Sequence, residues 1–157
     1  MERALKLLGA RSLTLRQLDQ ALARKGVPGL DRKAALARVA QLGYIDDAEV
    51  ARGRAQRFVG KGDAPRLAAR RLRAQGVSAE TAEAAAKAAA GSSTEAELAA
   101  QALQKKLRGR PVRDEKERQR LFRSLLQKGH RAAAVAKALE VANPEGWDGD
   151  DGTADDA

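Results

Sequence analysis

Three stretches of the sequence hold residue types that could do chemistry. GYIDDAEVA, residues 43–51, sets Asp46, Asp47 and Glu49 almost side by side. Carboxylates that close could hold a divalent cation or divide acid and base work between them. The sole histidine, His130, could relay a proton, and GKGD at residues 60–63 has the glycines, lysine and helix start of a phosphate cradle.

None of the three completes a set. His130 lacks a serine or cysteine nucleophile with an orienting carboxylate beside it, and it reads as a surface or half-packed residue just past a helix end. GKGD lacks the spacing that wraps backbone amides around phosphates, which leaves at most a helix start able to touch one phosphate. The chain has no cysteine, so a disulfide, a thiolate metal site and a cysteine nucleophile are all excluded. The acidic cluster has no histidine or distant carboxylates to close a metal shell, so no metal and no cofactor is expected. It has a structural reading instead. With Asp46 as N-cap, Glu49 falls at N3 as in a capping box, Ile45 and Val50 form the hydrophobic staple, and Asp47 lies in the first turn, where the helix dipole favours negative charge.

The same signals recur along the chain. Thr14 and Gln17 make a capping box flanked by the staple pair Leu13 and Leu18. Asp31, Asp63, Ser78 and Thr94 (with Glu97) read as further caps. Stops fall at Gly26, Gly43, Gly76, Gly91 and Gly129, where glycine takes the left-handed conformation cheaply. Three stops share a pattern: LDQALARKGV, LAARRLRAQGV and LFRSLLQKGH each place a leucine (Leu22, Leu72, Leu125) four residues before the glycine, and the glycines lie 50 and 53 residues apart. A period near 50 with about three helices in it is a tandem helical repeat. The expected division is residues 4–43, 46–90 and 94–140 for three repeats and 141–157 for an acidic, disordered tail. Only four aromatic residues are present, too few for one large core, so leucine and alanine must pack helices closely in several small ones; the fold class is all-α. The helix from Thr81 to Ala90 is almost pure alanine and is expected to carry little core.

Charge is unevenly distributed. From Glu140 on there are seven acidic residues and no lysine or arginine, whereas 30 basic and 14 acidic residues precede it, a net +16. A body so basic meets polyanions, either nucleic acid or a filament wrapped around it. The tail reads either as a solubilising segment or as an acidic mimic of nucleic acid lying on that body. Helical wheels place Arg66, Arg70 and Arg73 opposite Leu67, Ala68 and Leu72, with Arg71 near the edge of the apolar face. Arg54, Arg57 and Lys61 flank Ala51, Ala55 and Phe58, and Lys116, Arg120 and Arg123 lie opposite Leu121, Phe122, Leu125 and Leu126. MERALKLLGARS is too charged for a signal peptide and no stretch is apolar enough to span a bilayer, so a cytoplasmic protein is expected.

These residues resemble the RecX regulatory proteins, bacterial modulators of the RecA recombinase. The likeness is carried by ALKLLGARSLTLRQLDQALARKGV, by ALARVAQLGYIDDAEVARGRAQRFVGKGDAPRLAARRLRAQGV, and more loosely by RQRLFRSLLQKGHRAAAVAKAL. It spans Arg3 to Leu139, and its specific part is Leu42-Gly-Tyr-Ile-Asp-Asp with Ala51, Gly62, Arg66, Leu67, Leu72 and Gly76-Val77. His130 stands where the third repeat of that family usually has an aromatic residue. The resemblance implies three three-helix repeats in an elongated, curved body without catalytic activity. Such proteins bind RecA filaments on DNA and restrain RecA ATP hydrolysis, strand exchange and co-protease activity, and so modulate recombination, DNA repair and the SOS response.

The expected contacts to RecA or DNA are Arg54, Arg57, Lys61, Arg66, Arg70, Arg73, Lys116, Arg120 and Arg123. Thr14, Asp46, Glu49, Asp63 and Ser78 are expected as structural caps, and Tyr44 as a wedge at the junction of repeats one and two. DNA alone, single- or double-stranded, is expected to bind weakly, and a monomer is expected because no large apolar face is left over. The competing reading is a helix-turn-helix-like module that binds DNA directly, without RecA. A third, a metal-dependent nuclease, would have to use the carboxylates of GYIDDAEVA.

Overall fold

The computed structural model describes residues 1–143, and every element among them is helical: α1 (Glu2–Ala10), α2 (Leu15–Arg24), α3 (Gly29–Gln41), α4 (Asp47–Gly60), α5 (Pro65–Ala74), α6 (Ala79–Ala90), α7 (Glu95–Leu107), α8 (Glu115–Gln127) and α9 (Ala132–Ala142). The expected tail begins at residue 141, and all of it beyond Asn143 lies outside the described residues. No described helix is long and apolar enough to cross a membrane. The chain divides into two compact units, Met1–Ser92 with α1 to α6 and a second from Ser93 with α7 to α9.

Three separate apolar clusters follow the three-helix periodicity. The first gathers Ala4, Leu13, Leu18, Leu22, Ala35 and Val39. The second is built from Ala51, Ala55, Ala68, Leu72, Val77, Ala82 and Ala86. The third uses Leu103, Leu107, Leu121, Leu125, Val135 and Leu139 among others. The repeating leucines Leu22, Leu72 and Leu125 are all fully enclosed, and truncating any of them to alanine would cost about 2–5 kcal/mol. The alanine-rich α6 contradicts the expectation of a thin core. It makes the most extensive helix pairings in its unit, with α4 and α5, and buries Ala82, Ala85 and Ala86. Small side chains let the helix axes approach closely, so area is buried by proximity rather than by side-chain size.

Helix ends explain the repeat pattern. At Gly26, Gly76 and Gly129, each with positive φ, the glycine N–H donates to the carbonyl three residues back (Ala23, Arg73, Leu126). The next residue's N–H reaches the repeating leucine's carbonyl: Val27 to Leu22 (3.1 Å), Val77 to Leu72 (3.2 Å) and His130 to Leu125 (3.1 Å). This is the Schellman arrangement. It turns the residue after the glycine inward, which corrects the reading of His130: that side chain is 1% exposed, a core residue of the second unit. Gly62 does the same for α4, with Asp63 N–H donating to the Phe58 carbonyl.

Several caps form as local chemistry dictates. Thr14 and Thr94 make complete capping boxes with Gln17 and Glu97, and the Ser78 hydroxyl accepts the Thr81 N–H. Asp63 and Asp31 are not caps. Pro65 at the first position of α5 makes Ala64 the N-cap, and α3 already begins at Gly29, leaving Asp31 inside its first turn. Asp63 is instead a buried carboxylate, 2.6 Å from the Arg71 guanidinium. That guanidinium also lies over the Phe58 ring, an anchoring firmer than snorkelling along an apolar edge. Leu126, expected to point inward, is 37% exposed.

Candidate functional site

The acidic cluster that opens the sequence question is taken up by structure. Asp46 Oδ1 accepts the N–H groups of Ala48 (2.8 Å) and Glu49 (3.1 Å) and so caps α4. Glu49 returns no hydrogen bond to the Asp46 N–H, so the box is half formed. Asp47 reaches across 32 positions to accept the Leu15 N–H at 3.0 Å, supplying the start of α2 with an acceptor from the next repeat. No group of three or more His, Asp or Glu placed to hold a metal occurs among the described residues.

Asp47 belongs to a polar junction inside the first unit. The Arg54 guanidinium donates to Gln75 Oε1 (2.6 Å), Gln17 Oε1 (2.9 Å) and the Ser12 carbonyl (2.7 Å). The buried Thr14 hydroxyl donates to the Gln75 carbonyl at 2.6 Å while accepting the Gln17 N–H. A Cβ on Gly76 would stand 2.4 Å from Cβ of Arg16, so the turn after α5 and the first turn of α2 touch backbone to side-chain stem. Burial lowers the Arg54 pKa, the neighbouring Arg57 and Arg11 charges add to this, and Asp47 works against it. Arg54, expected as a partner contact, therefore joins the first two repeats through hydrogen bonds within the chain. Tyr44, expected to wedge them, is 56% exposed. It lies in a groove of about 600 Å³ whose lining includes Leu8, Arg11, Ile45, Arg52 and Arg57.

The remaining candidates fall into two sets. Arg66, Arg70 and Arg73 are exposed along one face of α5, opposite the buried Leu67, Ala68, Ala69 and Leu72; Arg57 is exposed on α4 and Lys61 at its C-cap. Among the described residues, Arg57, Arg70 and Arg73 form no ion pair with an acidic side chain, so their charge is not neutralised within the chain. In the second unit, Lys116, Arg120 and Arg123 are exposed on α8, but Arg120 already pairs with Glu117 at 3.2 Å.

Glu117 is a residue that the sequence reading missed. It is 7% exposed, accepts from Arg110 through both oxygens (3.0 and 2.6 Å) and takes the Arg113 N–H at 2.9 Å. These hydrogen bonds, that of Arg110 foremost, hold its pKa down at about 2, and they raise that of Arg110 in turn. Asp114 caps α8 by accepting the Glu117 N–H at 2.6 Å. A capping aspartate followed three residues later by glutamate was the available signal for that helix start.

Comparison with known proteins bears on this geometry. Residues 93–139 match the family model described as RecX, third three-helix domain. The crystal structure of RecX from Lactobacillus salivarius has the same fold, with a TM-score of 0.68 over 91% of this chain and 94% of that one, at 16% sequence identity. No curated protein sequence matches.

Proposed function

We propose that this chain, whose residues 93–139 match the third three-helix domain of RecX and whose fold matches that of a RecX crystal structure, is a RecX-like regulator which binds RecA filaments assembled on DNA. It restrains ATP hydrolysis, strand exchange and co-protease activity by occupying the filament, and it performs no covalent chemistry of its own. The observation that carries this reading is the exposed arginine face of α5, Arg66, Arg70 and Arg73, set on a helix whose other face is locked into the core. Guanidinium groups pair with carboxylates and phosphates alike through planar, two-pronged hydrogen bonds, so such a face suits acidic groups on RecA and the DNA phosphates between them. Arg57 of α4 and Lys61 at its C-cap extend the set. Lys116, Arg120 and Arg123 are the corresponding contacts of the second unit, Arg120 the weakest because Glu117 already engages it.

An electrophoretic shift with single-stranded and duplex DNA, with and without RecA, tests the reading. Weak binding to DNA alone and much tighter binding once RecA coats it is the expected result. Equal affinity in both arms, with a log–log salt slope of roughly −0.9 per phosphate contacted on duplex, would replace it with direct DNA binding.

A further inference from the structure

One groove in the second unit shares only Arg123 with the contacts proposed for RecA or DNA. It encloses about 440 Å³ on α8 and α9 and is lined by Arg118, Gln119, Phe122, Arg123 and Leu139. Positions 118, 119, 122 and 123 share one face of α8, since residues three and four apart are neighbours on a helix. Phe122 and Leu139 give the groove an apolar floor, and two arginines and an amide frame it. Arg118 reaches Glu115 at 3.4 Å across a solvent-exposed i,i+3 pair, a weak contact that another carboxylate can displace. A site of this composition fits an aromatic side chain set among acidic residues: the ring covers the floor, and guanidinium groups meet both the ring face and the carboxylates.

The chain carries such a sequence directly after α9. PEGWDGDD, residues 144–151, holds the only tryptophan, Trp147, between Glu145 and the aspartates 148, 150 and 151. Helix α9 ends at Ala142, less than one turn beyond Leu139. The five residues 143 to 147 can reach about 17 Å when extended, enough to fold back over the last turn of α9. A tether that short gives an effective concentration on the order of millimolar, so even a weak contact is populated.

We propose that the acidic segment docks in this groove of its own chain, with Trp147 over Phe122 and Leu139 and its carboxylates on Arg118 and Arg123. The docked segment engages Arg123 at the edge of the basic face of α8 and competes with any polyanion for that residue. This does not depend on which partner the basic body binds.

Because Trp147 is the sole tryptophan, its fluorescence reads the contact directly in the full-length chain. At low salt its emission should lie to the blue of that of a free peptide of residues 143–157, with iodide quenching reduced severalfold. Phe122→Ala, and separately Arg118→Glu with Arg123→Glu, should return both readings to the peptide's values. Emission identical to the peptide's at low salt in the unaltered chain would overturn the proposal, as would a blue shift that survives both variants. A shift that grows with protein concentration would also overturn it, by assigning the groove to the tail of a second copy.

Discussion

Replacing Gly76 by alanine probes the junction between the first two repeats, and Gly26 supplies its control. Both glycines end a helix with positive φ, +73° at Gly26 and +95° at Gly76. A Cβ in that conformation costs about 1–2 kcal/mol at either site. The surroundings differ. Nothing lies within 4 Å of a Cβ at Gly26, whereas at Gly76 it would meet Cβ of Arg16 at 2.4 Å, far inside contact distance and on a part of the side chain that cannot swing away. Relief requires α2 to shift from the turn, which strains the Thr14 to Gln75 and Arg54 to Gln17 hydrogen bonds. Forced overpacking adds about 1–3 kcal/mol, so Gly76→Ala should destabilise the chain by about 2–5 kcal/mol and Gly26→Ala by about 1–2. Urea unfolding followed by far-ultraviolet circular dichroism measures both. If the two substitutions lower the midpoint equally, the close approach of α2 to Gly76 is wrong.

Other perturbations follow from single contacts. Arg54→Ala removes three charge-assisted hydrogen bonds at a half-buried site, and since the freed acceptors are partly reached by water, the loss should be about 2 kcal/mol in the same unfolding experiment. Asp46→Ala should cost about 1 kcal/mol as a lost cap; Asp46→Asn should cost far less and leave no divalent-metal-dependent nuclease activity to compare, because none is expected in either form. Glu117 has a folded pKa near 2 against an ordinary value of 4.5. A depressed carboxylate stabilises the fold above its ordinary pKa and loses that contribution as pH falls toward its folded pKa. Stability should therefore drop between about pH 5 and pH 2, and Glu117→Gln should flatten the profile in that window.

What was legible in the sequence was local. Thr14, Asp46, Ser78 and Thr94 were readable as caps because a capping side chain and the N–H it accepts lie within three residues, and the glycine stops were readable because only the turn itself decides them. Asp63 was misread because its environment is set from two directions. Pro65 fixes where α5 starts, and the Schellman turn at Gly62 directs the next residue inward, where Arg71 meets it. The same turn buries His130, which one-dimensional reading makes a surface or half-packed residue. The junction was not legible at all. Arg54 finds Ser12 and Gln17 at separations of 42 and 37 residues, so a helical wheel could show that Arg54 left the apolar face but not that other polar groups awaited it. The wheel succeeded for Arg66, Arg70 and Arg73, where the helix's own buried face determines what remains outside.

That arginine face carries the functional account, and changing Arg66, Arg70 and Arg73 together to glutamate tests it most directly, with RecA-dependent ATP hydrolysis on single-stranded DNA as the measurement. The account predicts that the unaltered chain suppresses hydrolysis and that the triple variant, helical by circular dichroism, loses most of that suppression. Full inhibition by the folded triple variant would contradict it.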